Sequence, residues 1–253
     1  MHQRTEISSR KREPLSPTRI VQAAFEVIGA EGLTEFSTRK LAQKLGFEAM
    51  SIYHHFPSKA HLMDALVDSA VSQMRPIPPE LGFIDGQRFA AFEYRAMGLK
   101  YPAFFPYLSV HRMNTLTALA WLDRTLACYR RAGFSDRDAA HYFRQLGFYI
   151  IGATLDETAG YARGPSTVAP VPFEVLKRDF PNVLSAGPHF GQGEWQRIFE
   201  LGLEIELEGI KRALAAARSF MTTASAPFSP ITMGRNLTKQ RVDFVGEFWF
   251  ENR

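Results

Sequence analysis

Between Ser37 and Lys59 the chain reads STRKLAQKLGFEAMSIYHHFPSK, and within it Thr38, Arg39, Ser51, Tyr53, His54 and Lys59 all carry groups that can donate to phosphate oxygens or base edges. Three elements must position them. Ser37 can accept a hydrogen bond from an orphan amide and so start a helix at Thr38. This helix runs to about Leu45, where Gly46 can take the left-handed conformation that ends it. A second helix begins near Ala49. Leu41, Leu45, Ile52 and Phe56 interdigitate on the inside, because residues four apart share a helix face. The outer side of the second helix then carries Met50, Ser51, Tyr53 and His54, a mixture suited to the major groove. Thr38, Arg39 and Lys59 flank it, placed for phosphates, which helix N-termini attract in any case. The stretch reads as a helix-turn-helix.

The run from Leu15 to about Asp68 resembles the DNA-binding domain of the TetR family of transcriptional repressors. The residues that carry the resemblance are IVQAAFEVIGAEG, FSTRKLAQKLGF and SIYHHFPSKAHLMDAL, with Thr-Arg-Lys-Leu-Ala, Leu-Gly, Tyr, His-Phe and Ser-Lys in the family's order and spacing. The resemblance implies that Thr38, Arg39, Tyr53 and Lys59 match DNA-contacting positions. It also implies that Ala49, Met50 and His54 occupy the variable reading positions, so sequence preference does not carry over.

Composition sets the outer bounds. A chain of 253 residues with 45% hydrophobic content is ample for a buried core. The single cysteine, Cys128, excludes an intramolecular disulfide, and no amino-terminal stretch looks like a signal peptide, so a cytoplasmic protein is expected. The apolar run from Leu146 to Leu155 is shorter than the roughly 20 residues a bilayer crossing needs, which makes it a buried helix. A net charge of +4 permits nucleic-acid binding without establishing it. Its distribution says more: Ser37 to Lys59 holds four lysines or arginines against one acidic residue, Glu48, placing the basic excess on the reading surface.

Residues 1–14 lack an apolar period and contain Arg4, Arg10, Lys11 and Arg12. They read as a flexible basic arm, either a solvated tail or a source of added phosphate or minor-groove contacts. Ser16-Pro17 is a helix start. Ile20, Ala23, Ala24, Val27 and Ile28 give that helix one apolar face, and Gly32 closes it. Ser58 caps a further helix bearing Leu62, Ala65 and Leu66. The Pro-rich RPIPP from Arg75 to Pro79 cannot continue a helix, so a domain boundary falls there. The expected fold is all-α: a three-helix helix-turn-helix domain over 15–75, then a larger helical regulatory and dimerisation domain over 80–219. The body's helices are placed at 85–100, 103–112, 115–132, 135–163 and 194–219. Gly164 to Gly193 is rich in proline and glycine and reads as a long loop with one short helix near Phe173 to Arg178. Residues 220–253 break the periodicity and form a carboxy-terminal extension.

In place and length, the helices Ser135 to Arg163 and Glu194 to Ser219 match the pair that makes a four-helix dimer interface in the resembling family. Phe148, Ile151 and Leu155 on one and Phe199, Leu203 and Ile210 on the other are candidate contacts, with ordinary intrachain core as the alternative. A homodimer also follows from DNA geometry, since two reading helices on a twofold axis meet half-sites about 34–36 Å apart. An aromatic-rich region lies between the boundary and those helices. Such residues are core by default, yet as a group they can line an apolar cavity. Phe104, Tyr107, His111, Trp121, Phe148 and Asp156 are the candidate effector-binding residues, with Arg112 and Asn114 as further polar contacts. Asp156 and Glu157 interrupt an apolar stretch, and a carboxylate there must be solvated, paired or used.

The resulting expectation is a ligand-responsive repressor that binds a palindromic double-stranded DNA operator as a homodimer and is released by a small, largely apolar effector. Control by a protein partner, or action as an activator, is the alternative. Catalysis is the remote rival, for the chain has no GxSxG elbow, P-loop or HExxH motif. His54 and His55 point about 100° apart on a helix and make no paired metal site, and Cys128 reads as a small buried apolar residue. No catalytic residue, metal, cofactor or membrane partner is expected.

Overall fold

Ser16 starts the first helix by accepting a hydrogen bond at Oγ from the Arg19 amide at 3.3 Å, with Pro17 in the first helical position. In the computed structural model, residues 14–111, 114–160 and 167–224 are described. Residues 1–13 of the basic arm placed at 1–14, Arg112 and the chain beyond Ala224 lie outside them. Two compact units divide the chain, Met1–Ala215 and Ala216–Arg253, and the site belongs wholly to the first.

All regular structure among the described residues is helical. The head comprises α1 (Pro17–Glu31), α2 (Thr38–Leu45), α3 (Ala49–Tyr53) and α4 (Lys59–Val71). The body comprises α5 (Phe83–Lys100), α6 (Phe105–Val110), α7 (Leu116–Ala132), α8 (Asp136–Ala159), α9 (Phe173–Asp179), α10 (Pro181–Ala186) and α11 (Trp195–Ala224). Ser37, Ser58, Thr115 and Ser135 cap α2, α4, α7 and α8 through side-chain oxygens, each such cap contributing about 1 kcal/mol. At the other ends, Gly46 at φ 74° stops α2 and Gly133 at φ 107° stops α7, a conformation that costs a residue with a Cβ.

Two apolar cores hold these elements. The first joins α1, α2, α3 and α4 to Met97, Phe104, Phe105, Leu108 and Ala118 of the body. It joins head to body directly, with Phe25 of α1 stacked on Tyr101 at 4.1 Å between ring centroids. The second packs α5, α7, α8 and α11 around Tyr129, Leu146, Leu203, Leu207 and Ile210. Phe199, Leu203 and Ile210, offered above as dimer contacts, belong to this intrachain core. They recur at a spacing that faces α5 and α8, leaving the opposite stripe of α11 outward.

Glycine sets two close approaches. A Cβ on Gly98 would stand 2.5 Å from Thr154 Cγ2 and 2.9 Å from Phe105 Cδ2, so α5 nestles directly against α8 and α6. A Cβ on Gly202 would enter the Tyr149 ring, whose hydroxyl donates to the Phe199 carbonyl at 2.7 Å. Among its described residues, the loop at 164–193 contains two short α-helices, followed by short 3-10 turns, where one short helix was expected. Pro181 fixes the backbone angle for the second, α10.

Candidate nucleic-acid interface and effector region

The reading hairpin is built on Ile52, which is fully buried against α1, α2 and α4, while its neighbour Met50 is 64% exposed. That inside-outside contrast fixes the rotation of α3. Met50 and His54 point outward, and Ser51 and Tyr53 are half-buried at the flanks. Ala49 is half-buried and packs on the first core, so only its edge faces out. Tyr53 OH and Thr38 Oγ1 lie 3.0 Å apart, clamping α3 to the first turn of α2. Each hydroxyl keeps further capacity for an outside partner.

Four lysines or arginines lie in this stretch, and the structure divides them. Lys40 reaches Glu31 at 2.8 Å and Glu35 at 3.5 Å, and Lys44 reaches Glu26 at 2.9 Å. The Glu31 contact, chiefly a hydrogen bond, raises the Lys40 pKa. These two cations tie α2 to α1 and its following turn instead of adding to the reading surface, which corrects the simple charge count. Arg39 is exposed. Lys59 Nζ donates to the Phe36 carbonyl at 3.0 Å and lies over the Phe36 ring at 5.4 Å, a docking contact the sequence did not disclose. An ammonium has three donors, so two remain for a phosphate.

The head is coupled to the body at several points. His111 Nε2, at the end of α6, meets Asp64 Oδ1 of α4 at 2.9 Å. Arg75 grips Glu93 of α5 through its backbone amide at 2.8 Å and its guanidinium at 2.6 and 3.0 Å. That grip holds the Glu93 carboxyl below its ordinary value, against an opposing push from burial. Tyr101 OH donates to Gln73 Oε1 at 3.0 Å.

The six candidate effector residues separate into three places. Phe104 is fully buried in the first core and rings with Tyr107 at 5.5 Å, which in turn rings with His111 at 5.0 Å. Burial first, and the Asp64 carboxylate second, push the Tyr107 phenol up. Trp121 is half-buried and lies 6.4 Å from Tyr94 in the same core. Phe148 is not brought to this group. It is exposed on the outer stripe of α8, with the Arg144 guanidinium 4.7 Å over its ring. Asp156 lies elsewhere again, in a cleft of about 290 Å³ lined by Ala153 and Glu157 of α8, Phe190, and Trp195, Ile198 and Phe199 of α11. Asn114 is exposed. Beneath the cleft Arg95 is buried and bonds Glu157 at 2.7 and 2.8 Å, lying over the Phe199 ring at 4.7 Å. Of the two carboxylates noted above, Glu157 is paired and Asp156 solvated. Sequence reasoning missed Arg95, Phe190, Trp195 and Asp64, all non-local partners of residues it did single out.

A helix-turn-helix head on an all-helical body defines a DNA-binding transcription regulator of the two-part helical class. Residues 20–66 match the bacterial regulatory proteins of the tetR family, and residues 76–214 match the Tetracyclin repressor-like C-terminal domain. The chain belongs to the TetR family, whose members are regulators and not enzymes. It is similar to the class A tetracycline repressor protein of transposon 1721 from Escherichia coli, 26% identical over 211 residues that span 81% of this chain and 94% of the relative. An HTH-type transcriptional regulator of Saccharopolyspora erythraea is 28% identical over 212 residues, 82% and 89% of the two chains. Among solved structures, the TetR family protein ActR of Streptomyces coelicolor, in complex with actinorhodin, superposes with a TM-score of 0.64 at 26% identity, covering 80% of this chain and 99% of that one. No described helix is long and apolar enough to cross a membrane, and no described group of histidine, cysteine and carboxylate residues is arranged to hold a metal ion.

Proposed function

We propose that this protein is a ligand-responsive repressor that binds a palindromic operator as a homodimer and leaves it when a small, largely apolar effector binds the body. The observation that carries the reading is the orientation of α3: Ile52 is locked inward while Met50 and His54 are presented to a groove. Thr38, Arg39, Tyr53 and Lys59 flank them for phosphates, and Ala49 and Ser51 complete the surface. A short reading helix makes few contacts alone, so affinity requires a second copy. Repression is supported by the tetracycline repressor relatives, and response to a small molecule by the ActR complex.

Release follows from coupling. Phe104, Tyr107, His111 and Trp121 border α4, which carries the head, through the His111–Asp64 contact. An effector that binds better when this region is rearranged shifts the spacing of the two heads, by no more than its differential affinity for the two states. Purified protein incubated with sheared genomic DNA from its source should enrich a small set of fragments sharing a palindrome. No enrichment by folded, dimeric protein, or an effector that binds without changing operator affinity, contradicts the reading.

A further inference from the structure

Gln87 of α5 and Tyr129 of α7 are buried polar side chains without the partners that comparable groups on the same helices have. One turn before Tyr129, Thr125 Oγ1 donates to the Trp121 carbonyl at 2.9 Å, and two turns beyond Gln87 the buried Arg95 bonds Glu157 at 2.7 and 2.8 Å. Gln87 and Tyr129 are more deeply buried than that arginine, at 1% and 0% exposed against 6%. Yet Gln87 Nε2 and Tyr129 OH meet no hydrogen-bond partner among the described residues. A buried donor left bare costs its full desolvation penalty, which native cores accept only rarely.

The two groups share one layer of packing. Phe83 and Ala91, one turn to either side of Gln87 on α5, belong to the cluster around Tyr129, and the Phe83 ring meets the Tyr129 ring edge-on at 4.9 Å. Residues four apart share a helix face, so Gln87 leaves α5 on the side that faces Tyr129. Phe134, 5.8 Å from Tyr129, boxes the phenol ring further. Burial first, and Cys128 second, push the phenol up, so it keeps its proton and can donate. An N–H and an O–H in one apolar layer call for an acceptor. That acceptor is neutral, because a buried anion needs a cation, and Arg95 is already neutralised by Glu157.

We infer that Gln87 and Tyr129 jointly bind one uncharged acceptor oxygen, carried by a water molecule or by the carbonyl group of a small ligand. The site stands independently of the operator binding proposed above.

The test compares urea midpoints of the full-length protein, at one protein concentration, for Gln87→Leu, Tyr129→Phe and the double variant, all of which nearly conserve volume. A shared acceptor loses one donor in each single variant, so each midpoint should fall by roughly a few tenths molar. The double variant should lose less than the sum of the two, because the second removal acts on an acceptor already weakened. Bare donors behave oppositely, since replacing an unpaired buried polar group by an apolar one is neutral or stabilising. Single midpoints that hold or rise, or losses that add without coupling, would therefore overturn the inference. A crystal structure of the unaltered protein gives a reading that depends on no variant. One oxygen should lie about 2.7–3.2 Å from both Gln87 Nε2 and Tyr129 Oη, and no density between them would overturn the site. Acetophenone and ethylbenzene, alike in size but differing in the carbonyl, identify the source. A higher melting temperature with the ketone alone, lost in Tyr129→Phe, assigns the oxygen to a ligand. An isolated oxygen with neither probe acting assigns it to water, and both results support the shared acceptor.

Discussion

Lys59 shows how one side chain can serve two demands. Its ammonium gives one donor to the Phe36 carbonyl, which docks the start of α4 beside α2, and its stem lies along the Phe36 ring. A phosphate on the operator can take the remaining donors. Lys59→Met keeps the stem over the ring and deletes the charge. Each phosphate neutralised contributes about −0.9 to the slope of log affinity against log salt, so a dimer losing two should show a slope shallower by about 1.8. The measurement is operator affinity across a salt series, and an unchanged slope would make Lys59 a structural tie alone. Met50 and Ile52 were separable in the sequence by helical phase. The pairing of Tyr53 with Thr38 was not, because a contact across fifteen positions depends on how the hairpin closes and not on local spacing.

At the scale of elements, caps and glycines carried the legible part of the fold. The helix starts at Ser16, Ser37, Ser58 and Ser135 and the stops at Gly32, Gly46 and Gly133 are local chemistry, and the helices follow them closely. The faces of α11 were less legible, since Phe199 and Ile198 are adjacent and equally apolar, and only the tertiary partners decide which is buried. Gly98 was invisible for the same reason. With Thr154 and Phe105 already inside contact distance of a Cβ there, Gly98→Ala should destabilise the fold by about 1–3 kcal/mol despite alanine's better helix propensity, read as a lower urea midpoint. A gain in stability would mean that α8 yields without cost. The Arg75–Glu93 contact fixes the proline-rich segment to α5, and it makes a pH prediction. Glu93 titrates below its ordinary value of 4.5 in the fold, so its contribution is present above that value and lost as pH falls through the lower, folded one. Glu93→Gln should therefore be less stable than the unaltered protein at neutral pH, with the difference closing below about pH 4 in thermal unfolding followed across pH. A difference that stays constant to low pH would assign the effect to packing.

For the whole molecule, the decisive feature is the apolar stripe that the intrachain core leaves uncovered. On α11, Ile198, Leu201 and Ile205 face outward, the last two 64% and 65% exposed, and Phe148 stands exposed on α8. Tyr149, seated against Gly202, holds the two helices close, so these residues form parts of one surface. A face of this kind covered by its own copy is self-complementary and brings two heads onto one twofold axis. The proposed palindromic operator would impose a quantitative condition, because half-sites about 34–36 Å apart can be met together only by a dimer of fixed geometry. Ile205→Asp places a charge on this surface without touching the core formed by Leu203, Leu207 and Ile210. Sedimentation should show a helical monomer, and operator affinity should fall by two orders of magnitude or more, since joining two binding modules can raise avidity by ~10²–10⁴ over a single one. A variant that remains dimeric and retains full operator affinity would mean that the second copy docks through a different face, and the spacing of the two reading helices would have to be sought there.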